Sequence, residues 1–248
     1  MPTKRLSTFQ EHAFDMKNGK GFSLVELITA MAVTTLLLGA VYMAVNSTQR
    51  HSTGIEGKIV AQQDAKAALD IMALEIAMAS YDPSRTPDIW RAANNCASLA
   101  ADQDYKGIQE ATANALTIEM DLNSNGSTAD DNEIIRYNYV SSGSDRYVTR
   151  STSCGNAMPF LGASLASGVP RNVLVINNDL NPIIPVFRYF NGEGTEIAST
   201  DLPASIPDIQ RIVITLAVET EHIDPNTGQR KRLIYSTSVL PRNHVIKE

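Results

Sequence analysis

The chain has 248 residues, with 21 Lys and Arg against 27 Asp and Glu, which gives a formal charge of -6 and an isoelectric point near 5.3. That balance argues against a general nucleic-acid binder, whose electrostatic footprint is basic. With 43% hydrophobic residues, 19% charged, and only 14 Gly and 11 Pro, the composition is that of a folded domain and not of a low-complexity chain.

The first element is an apolar run from Phe22 to Val45 in which only Glu26 is charged. As a helix at ~1.5 Å per residue it reaches about 36 Å, enough to cross a hydrocarbon core of roughly 30 Å. Lys4, Arg5, Lys17 and Lys20 precede the run, and Arg50 and Lys58 are the first cations after it. The positive-inside bias therefore places the N-terminus in the cytoplasm and everything after Val45 outside. A secretory signal, a permanent anchor, and a helix that both anchors and assembles are the competing readings. The run exceeds the ~7–15 apolar residues of a signal peptide. A plain anchor leaves Glu26 to be explained, because an acid in hydrocarbon costs at least ~2.5 kcal/mol.

The run Lys20-Gly21-Phe22-Ser23-Leu24-Val25-Glu26-Leu27-Ile28 resembles the type III signal of type IV prepilins: a basic leader ending in Gly, then Phe, with Glu fifth after the cut. The resemblance implies that a prepilin peptidase cuts between Gly21 and Phe22, methylates the new amino group of Phe22, and leaves the helix in place. It also gives Glu26 an assembly role: its carboxylate meets a neighbouring subunit's N-terminal amine when subunits leave the lipid. The alternative is an acid that caps the helix or snorkels to the interface. Residues 1–21 are the expected leader, and Met16 offers a shorter start from which Met1 to Asp15 would be an upstream extension.

Residues 46–80 continue the helix in amphipathic form, with Ile55, Ile59, Ala65, Leu69, Met72 and Ile76 as its apolar stripe. Gly54 and Gly57 predict a kink or local break. The helix is expected to end near Ser80, before Tyr81-Asp82-Pro83. Residues 81–248 are expected to form a β-rich extracytoplasmic domain. Its strands read at 115–121, 134–140, 173–177, 186–190, 209–219 and 233–239, with turns at Asn191-Gly192-Glu193-Gly194 and Asp224-Pro225-Asn226-Thr227-Gly228. The expected fold is α+β, a long N-terminal helix packed on an antiparallel sheet. Asp70 to Pro83, Phe187-Arg188-Tyr189-Phe190, Arg211 to Leu216 and Pro241-Arg242-Asn243 are similar to segments of PilW-type minor pilins and GspJ-type pseudopilins. Ala79-Ser80-Tyr81 departs from that group, where Ala-Gly-Tyr is commoner.

One loop suggests a ligand. Asp121, Asn123 and Asn125, followed by Gly126, match the first half of an EF-hand-type calcium loop, with Asp130, Asp131 and Glu133 as acids for its far end. Asn132 holds the position where the bidentate acid belongs, so Ca²⁺ competes with a plain polar turn. No cofactor is required on this reading. Cys96 and Cys154 lie outside the membrane by the topology above, where two cysteines more often pair than not. No nucleophile elbow, zinc-protease motif, phosphate loop or Cys-x-x-Cys occurs, so no enzyme is expected.

The sequence thus points to a minor pilin of a type IV pilus, with a type II secretion pseudopilin or a membrane-anchored calcium-dependent binding module as alternatives. Its expected partners are other pilin or pseudopilin subunits and a prepilin peptidase, with the inner membrane before assembly and the periplasm or a surface pilus after it. Loss of the leader removes Lys4, Arg5, Lys17 and Lys20 against two acids, so the mature chain is more acidic still and no nucleic acid is expected as partner.

Overall fold

The computed structural model describes residues 21–143, 145–163 and 173–244. The leader residues 1–20, including Lys4, Arg5, Met16, Lys17 and Lys20, lie outside the described residues. The elements are α1 (Leu24–Ala77), β1 (Arg91–Ala92), β2 (Asn95–Leu99), β3 (Ile108–Ala111), β4 (Ala115–Glu119), β5 (Ile134–Ser142), β6 (Asp145–Thr152), β7 (Met158–Ala163), β8 (Val173–Val175), β9 (Phe187–Phe190), β10 (Arg211–Thr220) and β11 (Arg232–Val239). The chain divides into two compact units, Met1–Gln49 and Arg50–Glu248.

In the first unit α1 is apolar and uncovered. Every large apolar side chain from Phe22 to Val45 is exposed. The polar side chains within it turn inward on the backbone: Thr29, Thr34 and Thr35 donate to the carbonyls of Glu26, Ala30 and Met31 at 3.0, 2.7 and 2.8 Å. Hydroxyls satisfied in this way need no water. The helix is long and apolar enough to cross a membrane.

The second unit is an α+β domain, as the sequence led one to expect. A five-stranded antiparallel sheet runs β3-β4-β5-β6-β7. A four-stranded one is centred on β10, with β11 along one side and β8 and β9 sharing the other. Alternation on β5 holds: Ile135, Tyr137 and Tyr139 are buried, and Arg136 and Asn138 are half-buried. The sheets are stitched by Tyr139 Oη donating to Val175 O (2.8 Å), Tyr189 Oη donating to Thr112 O (2.8 Å) and Phe187 N donating to Ala113 O (3.0 Å). Asn177, fully buried, accepts from Ala217 N and donates to Thr215 O, so its amide replaces a strand partner beside β10.

The buried line of α1 is Ala61, Ala65, Ala68, Leu69, Met72 and Ile76. Ile55 and Ile59, placed on that stripe by their spacing, are 58% and 47% exposed. The expected break at Gly54 and Gly57 is also absent, since α1 runs through both. A side chain at Gly54 would put its Cβ 3.0 Å from Asp224 Oδ1 in the loop between β10 and β11, and His51 Nδ1 lies 3.1 Å from Asn226 Nδ2 of the same loop. That loop approaches the helix where its own propensity is poorest, and a side chain at Gly54 would press on the Asp224 carboxylate.

Further along, Glu75 fixes the helix to the larger sheet. Arg150 of β6 donates to both its oxygens (3.1 and 2.7 Å), and Tyr137 Oη of β5 donates to Oε2. Burial, with the Glu75 carboxylate added to it, pushes the Tyr137 hydroxyl well above its ordinary pKa.

Candidate processing and assembly site

The site runs from Gly21 to Glu26. Gly21 and Phe22 precede the helix, and Phe22 is 90% exposed. Ser23 is the residue before the first turn. Its hydroxyl accepts from Glu26 N at 3.2 Å, while Glu26 Oε2 accepts from Ser23 N at 2.9 Å, and Leu27 N donates to Ser23 O at 3.1 Å. This reciprocal pair is a capping box, which satisfies two backbone donors that a helix start otherwise leaves open.

Two consequences follow for the chemistry expected here. Both members of the box lie downstream of the Gly21–Phe22 bond, so a cut there leaves the helix start intact. Such a cut would also create an ammonium on Phe22, one turn from Glu26, at the positive end of the helix dipole. A carboxylate at this position offsets both charges. The capping role and the charge-pairing role of Glu26 are therefore compatible, because the box uses one carboxylate oxygen.

The far end of α1 carries a feature that the sequence did not disclose. After Ala77 the chain turns, and Ser80 takes a left-handed backbone with φ 63°. That conformation favours glycine, which is the physical reason a glycine suits this position. Here the serine hydroxyl compensates: it accepts from Gly107 N (2.9 Å) and donates to Nδ1 of His244 (3.0 Å), whose Nε2 donates to Ile206 O at 2.8 Å. Both residues are buried. Burial holds the His244 imidazole below its ordinary pKa, and the nearby Lys106 acts in the same direction. Sequence separation hid the pair, since His244 is 164 positions after Ser80.

The Asp121 loop closes on itself. Asp121, fully buried, accepts from Asn125 N and Gly126 N (3.2 and 2.9 Å). Asn123 and Asn125 both donate their amides to Asp130 Oδ2, at 3.0 and 2.6 Å. Glu133 Oε1 accepts from Leu122 N and Asn123 N (2.9 and 3.2 Å). Asp131 is exposed. Beside the loop, burial pushes the Glu119 carboxyl up to about 8, although Arg91 N and Thr128 Oγ1 donate to it. Cys96 of β2 and Cys154, just past β6, form a disulfide with Cα atoms 5.8 Å apart. It fastens the small β1–β2 hairpin to the larger sheet, and closing a loop of that length contributes up to about 4 kcal/mol in the chain-entropy picture.

Residues 16–42 match the family model described as the prokaryotic N-terminal methylation motif. No curated protein matches the chain. Nor does any solved structure. A motif of this kind marks pilin-type subunits processed by a prepilin peptidase, and with the exposed apolar helix it points to membrane anchoring. The fold agrees with that class: a long N-terminal helix packed on antiparallel sheets.

Proposed function

We propose that this chain is a minor pilin of a type IV pilus, cleaved between Gly21 and Phe22, methylated on Phe22 and built into a fibre through α1. The observation that carries this reading is the placement of Glu26: fifth after the cut, inside the matched motif, closing the cap of a helix half whose apolar surface is fully uncovered. Before assembly lipid covers that surface, and in a fibre other helices do. The mechanism is an exchange of lipid contacts for helix contacts, with the Glu26 carboxylate setting register against a neighbour's amine.

The likeness of the later segments is to PilW-type minor pilins and GspJ-type pseudopilins alike, so the choice between a pilus and a secretion pseudopilus rests on experiment. The Ser80 departure does not weigh against that likeness, because a hydrogen-bonded serine holds the backbone that glycine adopts freely. Deleting the gene separates the two systems. Lost surface fibres or twitching with normal protein export is the expected outcome, and lost export with normal fibres would assign the chain to a type II secretion apparatus.

A further inference from the structure

We infer that Asn191 is a site of spontaneous covalent modification: in the folded protein the backbone nitrogen of Gly192 attacks its side-chain amide, ammonia leaves, and water opens the resulting succinimide to aspartate or isoaspartate. Among the described residues the chain holds two Asn-Gly pairs, Asn125-Gly126 and Asn191-Gly192, and the fold treats them oppositely. Glycine has no side chain to shield its nitrogen, so local sequence gives both pairs the same start. At the first pair every reacting group is engaged. Gly126 N, the nucleophile, donates to Asp121 Oδ2 at 2.9 Å, and Asn125 Nδ2, the leaving group, donates to Asp130 Oδ2 at 2.6 Å. Attack there must first break bonds that close the loop between β4 and β5.

The second pair opens the turn after β9. Gly192 is exposed, and among the described residues neither its N–H nor the Asn191 Nδ2 amide donates to any acceptor. The electrophile, by contrast, is held and polarised. Asn191 Oδ1 accepts from Glu193 N and Thr195 N at 3.1 and 2.9 Å, and the turn is closed by Asn191 N donating to Thr195 O and Gly194 N donating to Asn191 O, both at 3.0 Å. Two backbone donors on one carbonyl oxygen stabilise the negative charge that this oxygen gains when its carbon is attacked. The pair lies at an open cleft of about 740 Å³ lined also by Glu193, Glu196, Asp208 and Gln210, which admits the water for the second step. The reaction needs only the chain and water. Gly192 N bonds to Asn191 Cγ and gives up its proton, the Cγ–Nδ2 bond breaks, and Nδ2 leaves protonated as ammonia. Water then cleaves the ring at Cγ, giving aspartate, or at the main-chain carbonyl carbon, giving isoaspartate. Either product adds a carboxylate beside Glu193 and Glu196. Aspartate keeps an acceptor for Glu193 N and Thr195 N, whereas isoaspartate routes the main chain through the side chain and disrupts the turn. The charge of this surface therefore grows more negative with time after folding.

Peptide mapping by mass spectrometry tests this on the full-length protein in detergent, incubated folded and in guanidinium chloride, at neutral and at alkaline pH. In the folded protein the tryptic peptide from Tyr189 to Arg211, whose sole asparagine is Asn191, should gain one mass unit. It should do so at least about tenfold faster than Asn125, which fragmentation locates within its own peptide, because Asn125 reacts only through local opening of its loop. Alkaline pH should speed the change, since the nitrogen attacks once it has lost its proton. In guanidinium chloride the two rates should converge, because only the fold separates them. Asn191 unmodified in the folded protein, equal rates at the two sites, or a ratio unchanged by denaturant overturns the proposal. None of these outcomes depends on cleavage or fibre assembly, so the pilin reading stands or falls separately.

Discussion

At the scale of single residues, the proposed function rests mostly on Glu26, and the helix cap it forms can be pulled apart chemically from the charge pairing proposed for it. Gln at this position keeps the capping box and removes the charge, whereas Ala removes both. If register is set by charge pairing, Glu26→Gln should be cleaved normally and fail to enter fibres, and Glu26→Ala should fail in the same way. Immunoblotting of sheared fibres and of membranes reads both steps. A Glu26→Gln protein that assembles at the normal level would reduce Glu26 to a helix cap and favour a tethered binding module. The methylation motif was legible in the sequence because it is contiguous and each member needs a fixed position relative to the helix start. The Ser80–His244 contact was not, since nothing local marks two residues brought together only by the fold. The departure at Ser80 was visible as an oddity, and its meaning needed the backbone angle.

At the scale of elements, the interior end of α1 depends on that contact. His244 accepts from Ser80 and donates to Ile206 only when neutral. Its pKa is lowered on folding, so the unfolded chain binds the proton more readily. The contribution of His244 is therefore whole above its unfolded value of about 6.5 and is lost as pH falls from there through the lowered folded value. Unfolding monitored by circular dichroism between pH 7.5 and pH 5 should show stability declining with acid, and His244→Gln should flatten that slope; an unchanged slope would mean that other groups set it. The same scale shows where pattern reading loses its grip. Of the expected stripe, Ala65, Leu69, Met72 and Ile76 are buried, whereas Ile55 and Ile59 are exposed and the small residues Ala61 and Ala68, which allow close approach, are buried beside them. The long strands β5, β10 and β11 were readable from alternation and apolar content. β1 is only two residues long, and β6 buries Val148 and Thr149 in an otherwise polar stretch, so neither carries a clear period. Gly54 was read as a weak point of the helix because its cost is local, whereas the loop that approaches it lies 170 positions further on.

At the scale of the whole molecule, the two units have different physical characters. The first has an apolar surface that water cannot cover favourably, and the second buries its core and carries the disulfide. That division is what a subunit stored in a bilayer and later moved into a fibre requires: a helix able to trade one apolar environment for another, attached to a domain that is folded beforehand. The class was legible because it is written in the first unit, where sequence and environment are related directly. The particular apparatus is written on surfaces that meet other subunits, and a single chain does not display those. The most direct measurement is the intact mass and N-terminal sequence of the protein recovered from membranes, with and without a co-expressed prepilin peptidase. With the peptidase, the expected product begins at Phe22 and carries one added methyl group. A chain that keeps its leader beside an active peptidase, or one cut after Val45, would contradict the pilin reading.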